Sequence, residues 1–242
     1  MKIAMWSGPR NLSTAMMYSF AARGDCAIWD EPFYAAYLAA SDLDHPMRKE
    51  ILAAGQQDAD RVAAACLGRV PGGKQIYYQK HMAHHMLPDF PREWLSSCAN
   101  VFLIRHPVRV IASYAVKREA PVFDDLGYKQ QLELFETAAV LSGNMPPVVD
   151  SHDLRDDPEG ILRALCRAID LPYTDRMLNW PAGGHANDGV WAPHWYGAVH
   201  QSTGFAQPEP ELPAIDARFA PLLERAMPIY KKLSEYALTA ER

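Results

Sequence analysis

The segment Lys2 to Phe20, KIAMWSGPRNLSTAMMYSF, reads as a buried strand, a tight loop and a helix in immediate succession, and that reading decides the fold. Lys2 to Trp6 are mostly apolar, Gly8 and Pro9 break the extended run, and Asn11 or Ser13 is expected to cap a helix carrying Ala15, Met16, Met17 and Phe20. Such a loop gathers unpaired backbone N–H groups at the positive end of a helix dipole. Gly8, Pro9, Arg10, Asn11, Leu12, Ser13 and Thr14 are therefore expected to cradle an anion, with phosphate or sulfate as the natural occupant.

The nucleotide-binding pattern G-x-x-x-x-G-K-[ST] would add a second glycine and a lysine before the last hydroxyl. This chain has neither, and Arg10 is the strong cation of the loop. With 242 residues, 49% hydrophobic and 22% charged, the chain has the composition of a globular protein with a sizeable core. A net charge of -5 argues against a general nucleic-acid binder, although a local basic pocket is compatible with it. No basic-then-apolar leader opens the chain and no stretch is apolar for about eighteen residues, so a cytoplasmic protein with no membrane partner is expected. Cys26, Cys66, Cys98 and Cys166 are scattered and form no C-x-x-C pair, which fits free thiols better than a metal cluster or a disulfide framework.

Outward from the loop, Cys26 to Trp29 reads as a second strand ending at Asp30, Glu31 and Pro32. Glu31 is either a general base or a cap for the helix that follows, and Asp30 reads as structural. A helical hairpin is expected over Pro46 to Leu67, then a strand over Lys74 to Gln79 that delivers Lys80 and His81 to its end, where α/β sheets present ligands. With an unperturbed pKa of about 6.5, a histidine there suits proton transfer. His84 and His85 complete an H-x-x-H-H run without the partners a zinc site needs. Val101 to Ile104 is an all-apolar strand leading into RHPVRVIAS, in which Arg105 and Ser113 can converge on one phosphate if Pro107 opens a helix.

A helix over Leu126 to Leu141, a short strand over Pro147 to Asp150 and a helix with the stripe Ile161, Leu162, Leu165, Ile169 come next. The segment 179–207 carries Trp180, Trp191 and Trp195 with little periodicity and reads as a functional loop. Residues 213–238 read as a helical cover over the sheet.

The loop pattern P-[KR]-x-x-[ST]-T after a strand resembles the phosphosulfate-binding loop of the sulfotransferases that use PAPS, 3′-phosphoadenosine 5′-phosphosulfate; Leu12 stands where many members carry glycine. The run QKHMAHHMLP resembles their K-T-H-L-P-x-x-L-L-P stretch, with Gln79 in place of lysine and Lys80 in place of threonine. The pattern R-[DNH]-P-x-x-x-x-x-S resembles their 3′-phosphate motif, with His106 in place of the usual aspartate or asparagine. The run HQSTGF resembles late loops that close over the nucleotide, although the basic R-K-G motif of the cytosolic enzymes is absent.

The resemblance runs from Ile3 to about Phe205. It implies one domain over 1–242 with a three-layer α/β fold, a mainly parallel sheet of four or five strands and a P-loop NTPase-like architecture. It further implies PAPS as sulfuryl donor, no metal, and a hydroxyl or amine of a small molecule as acceptor. By this analogy Arg10 stabilises the leaving 5′-phosphate, His81 or Glu31 takes the acceptor's proton, Arg105 and Ser113 hold the 3′-phosphate, and Ser202, Thr203 and Gly204 add phosphate contacts. An ATP-dependent kinase and a non-catalytic anion-binding relative are the alternatives.

Overall fold

The computed structural model describes residues 1–41, 43–115 and 121–240. Among them, strands β1 (Lys2–Ser7), β2 (Cys26–Asp30), β3 (Ile76–Met82), β4 (Ala99–Ile104) and β5 (Val148–Asp150) form one all-parallel sheet in the order β2-β3-β1-β4-β5. The connections are α1 (Ser13–Ala22), α2 (Tyr34–Ala39), α3 (Arg48–Ala54), α4 (Ala59–Cys66), α5 (Pro107–Ala115) and α6 (Tyr128–Ser142). After β5 come α7 (Ser151–Asp156), α8 (Pro158–Ala168), α9 (Ala192–Trp195), α10 (Gly197–His200) and α11 (Ala220–Ser234).

A parallel sheet covered on both faces needs strands that are apolar on both sides, and β1 and β4 have that composition. Alternation along β1 sends Ile3 and Met5 into a core shared with Met16, Met17 and Phe20 of α1 and Ile161, Leu162 and Leu165 of α8. It sends Ala4 and Trp6 into a second core with Val62 and Cys66 of α4, Leu134 and Phe135 of α6 and Leu233 of α11. The result is the expected three-layer α/β arrangement.

This strand order places the ligand crevice. The chain leaves β1 toward β2 on one side, while β4 lies on the other side of β1, so the carboxyl ends of β1, β3 and β4 meet around the loop 8–12. Strand β3 runs three residues past its expected end, so Lys80 and His81 lie inside it, with opposite outlooks. The segment 179–207 also departs from expectation, because it folds into α9 and α10 and is pinned by a bridge between Asn179 and Gly204.

Candidate active site

A cavity of about 310 Å³ opens at the ends of β1, β3 and β4. Pro9, Arg10, Asn11, Leu12, Ser13 and Thr14 form one side, with Glu31, Lys80, Arg105, Ser202 and Gly204 also on its wall. Tyr34, His45, His84, His85, Tyr114 and Trp195 supply an aromatic flank. Ten of the residues expected at the site from sequence thus share one cavity.

The loop's conformation explains its chemistry. Arg10 and Leu12 both have positive φ, 65° and 63°, and Leu12 occupies the N-cap position of α1 without a side-chain hydrogen bond to the helix. Neither Asn11 nor Ser13 caps α1, contrary to the sequence expectation. Asn11 is instead buried, and its Nδ2 donates to the Leu103 carbonyl at 3.1 Å, tying the loop to β4. The first-turn amides of α1 are left without a side-chain acceptor beside the cavity, which is how a helix terminus receives an anion. Leu12 is strained in this left-handed conformation, which glycine adopts freely.

Gly8 is off the cavity wall. A Cβ there would meet the Leu126 carbonyl oxygen at 2.6 Å, and a Cβ on Gly127 would in turn lie 3.4 Å from the Gly8 Cα. The glycine serves a close backbone approach. Gly8→Ala is expected to lower unfolding stability by about 1–3 kcal/mol, measured by urea denaturation, because backbone and not a movable side chain must yield.

Two anion motifs meet across the sheet. The Arg105 guanidinium donates from Nη1 to the Arg10 carbonyl at 2.8 Å, and Arg10 Nε donates to Ser113 Oγ at 2.8 Å. Ser113 lies beside the cavity wall and not on it. His106 acts at the start of α5, where its Nδ1 accepts the Val108 amide at 3.3 Å.

A buried charge cluster forms the floor. Lys80 Nζ lies 2.8 Å from Asp30 Oδ1, 2.5 Å from Glu31 Oε1 and 2.6 Å from Tyr196 Oη. Tyr196 comes from the late segment, accepts from Trp191 Nε1 at 2.9 Å and reaches Asp30 at 2.8 Å. The Gly189 amide also donates to Asp30, so this aspartate fastens the late segment to β2. Burial lowers the Lys80 pKa, but the two carboxylates outweigh it and hold the ammonium above its ordinary value. Burial, reinforced by Asp30, raises Glu31 despite the opposing Lys80 charge. Glu31 also has φ 45°, a conformation that costs of order 1 kcal/mol and turns its carboxylate toward the cavity wall.

His81, expected as a base, is not on the cavity wall. Its ring stacks on Trp6 at 4.5 Å between centroids, with Phe33 and Trp94 around it, and its Nε2 faces Gln79 Oε1 at 3.3 Å. Strand alternation is the reason: Lys80 and Met82 point to the cavity, while Gln79 and His81 point into the opposite core. Burial and Lys80 push the His81 pKa down to about 3, so it is neutral in the folded protein. The unfolded chain binds a proton there near pH 6.5 and the native one does not. Stability is complete above that pH and falls as pH drops toward 3, by about 2 kcal/mol at pH 5 from this one ring. His81→Phe is expected to flatten the acid limb of stability against pH, which chemical denaturation from pH 7 to 5 measures.

The late residues divide similarly. Ser202 and Gly204 line the cavity, but the Ser202 hydroxyl accepts from Trp180 Nε1 and donates to the Val199 carbonyl. Thr203 is solvent-exposed and off the wall. Trp180 and Trp191 pack in the core, leaving Trp195 as the tryptophan of the aromatic flank. Sequence reading did not single out Tyr196, Arg109, Arg155 or Glu209. These residues meet partners far away in sequence, so no local pattern announces them, whereas the two-residue period of β3 does carry the opposite placement of Lys80 and His81.

A family model described as "Sulfotransferase domain" matches residues 1–237. Two curated relatives from Arabidopsis thaliana, named branched-chain-amino-acid aminotransferase-like protein 1 and 2, are 37% and 36% identical over 97% and 96% of this chain. The chain spans 42% and 41% of their lengths. Solved structures that resemble it are the sulfotransferase domain of the Synechococcus PCC 7002 olefin synthase, with 15% identity and a TM-score of 0.44, and that of the curacin biosynthetic pathway, with 14% and 0.47. The matched regions cover 93% of both chains in the first case, and 96% of this chain and 97% of the other in the second. With the family model spanning nearly its whole length, the chain belongs to the sulfotransferase domain family.

Proposed function

We propose that the protein transfers a sulfuryl group from PAPS to a hydroxyl or amine of a small-molecule acceptor, with Glu31 as the base. The observation that carries this reading is the 2.8 Å bond from Arg105 to the Arg10 carbonyl, which joins the two anion motifs on one cavity. The residues fit a donor with two separate phosphate groups. The uncapped α1 amides, Arg10, Ser13 and Thr14 would hold the phosphosulfate end, and Arg105 with Ser113 the 3′-phosphate. When bound, PAPS supplies the sulfuryl group and a phosphate leaving group.

The chain's own residues would position and neutralise. Arg10 and the loop amides stabilise charge on the departing 5′-phosphate. Glu31 Oε1 is held by Lys80, leaving Oε2 to take the acceptor's proton, with His85 Nδ1 3.8 Å from it. Lys80 thereby orients the base while its own charge is balanced by Asp30. The flank of Tyr34, His45 and Trp195 suits an acceptor with apolar or aromatic surface.

Thermal unfolding with adenosine 3′,5′-bisphosphate and with ATP plus magnesium tests the donor class. The bisphosphate is expected to raise stability by about 2.7 kcal/mol at a hundred times its Kd, and ATP with magnesium to have no effect. The reverse pattern would overturn the reading in favour of a kinase. Transfer of labelled sulfate from PAPS across a panel of phenols, alcohols and amines then identifies the acceptor class.

A further inference from the structure

One carboxylate is gripped by three arginines beside the cavity. Glu209 Oε1 accepts from Arg105 Nε at 3.0 Å and from Arg155 Nη1 at 2.9 Å, Arg105 Nη2 also reaches it, and Arg109 Nε lies 2.8 Å from Oε2. The Glu209 side chain is 1% exposed, against 10–16% for the three arginines. Its neighbours Gln207, Pro208, Pro210 and Glu211 are all exposed. The carbonyls of Gln207 and Pro210 accept from Arg155 and Arg109, so the same arginines hold the strap on both sides of the glutamate.

The charges do not balance. Three guanidiniums face one carboxylate in a partly buried position, and the nearby Asp150 gives its oxygens to the His152 amide and the Tyr230 hydroxyl, so the arginines outnumber their carboxylate partner where charge is costly to leave unpaired. A phosphate monoester carries close to two negative charges and three acceptor oxygens, and it matches forked guanidinium donors better than a carboxylate does. Pro208 and Pro210 lack N–H donors, so the strap is held through its carbonyls, by the same arginines that grip Glu209.

We propose that Arg105, Arg109 and Arg155 form a phosphate-monoester site for which Glu209 is a resident competitor, displaced from the arginines when the donor's 3′-phosphate enters. This rests on the donor reading above and extends the site to Arg109, at a position the 3′-phosphate motif leaves unspecified, and to Arg155 and a competing carboxylate outside the motifs. Affinity for a 3′-phosphorylated nucleotide is then set by an exchange of anions, while a nucleotide with only a 5′-phosphate leaves Glu209 in place.

The test is isothermal titration of the wild-type chain and the Glu209→Gln variant with adenosine 3′,5′-bisphosphate and with adenosine 5′-monophosphate. Glu209→Gln is expected to bind the bisphosphate about tenfold more tightly or better, with the monophosphate changed by less than about threefold. Unchanged or weaker bisphosphate binding in the variant, with wild-type binding intact, overturns the competitor while the donor reading survives. Equal tightening of both nucleotides also overturns it, because the effect would then be general charge. If Glu209→Gln fails to fold, the Pro208→Gly/Pro210→Gly variant loosens the strap with the carboxylate retained; bisphosphate binding is expected to tighten, and no change or weakening overturns the proposal. If no form binds the bisphosphate, the donor reading fails and the exchange fails with it.

Discussion

Glu31→Gln is expected to lower turnover at neutral pH by about 10²- to 10⁴-fold while leaving the KM for the donor within about twofold, the range expected when a general base is lost without disturbing binding. The substitution keeps the shape of the side chain, and Lys80 retains its 2.8 Å partner Asp30, so the fold should persist. In the wild type, kcat should fall as pH is lowered through a pKa above the ordinary carboxylate range, since burial and Asp30 raise Glu31 and the base form is lost earlier on acidification. That limb should vanish in the variant. A variant with wild-type kcat at saturating acceptor would remove Glu31 from the chemistry.

Lys80→Met is expected to destabilise the protein by about 3–5 kcal/mol at neutral pH, the cost of removing one partner from a buried ion cluster. Asp30, Glu31 and the Tyr196 hydroxyl would be left around an apolar side chain at the end of β3, with no cation to offset their burial. The deficit should narrow as pH falls. Glu31, raised by burial and freed of the opposing Lys80 charge, binds its proton more tightly in the folded variant than in the unfolded chain, so acidification favours the folded variant until it is neutral. Denaturant midpoints at pH 7 and pH 5 measure this. A variant equally deficient at both pH values would mean that lost packing, not charge, accounts for the change. Because Tyr196 and Gly189 bind the same cluster, the late segment is expected to loosen with it, visible as faster amide exchange over residues 187–200.

The expected acid sensitivity of the wild type runs the other way and has a different source. His81 is buried neutral against Trp6, Phe33 and Trp94, and the unfolded chain gains the proton that the native state refuses. His84 adds to the same slope, since burial and His45 push its pKa down to about 4. The two effects can therefore be separated by substitution: His81→Phe acts on the slope set by the buried ring, and Lys80→Met enlarges the opposing slope set by Glu31.

Much of this molecule was legible in the residues themselves. The apolar strand, the Gly-Pro break and the apolar helix face in Lys2 to Phe20 specify a strand-loop-helix unit by local preferences alone, and Arg105 with Pro107 marks a second strand end by the same means. What the linear order could not decide is which way a side chain points once a strand's ends are set by its neighbours. Pairing with β1 extends β3 to Met82, and in a structure with a two-residue period this places Lys80 at the cavity and His81 in the core. The cap of α1 was unreadable for a related reason, because Asn11 finds its partner on β4 and not in its own helix. Glu209 lies 104 positions from Arg105, and no local pattern announces an ion pair across that separation. Local composition thus determined the elements and the loop that invites an anion. Only the packing of distant segments decided which charges face that loop, since burial and ion pairing depend on neighbours brought together by the fold.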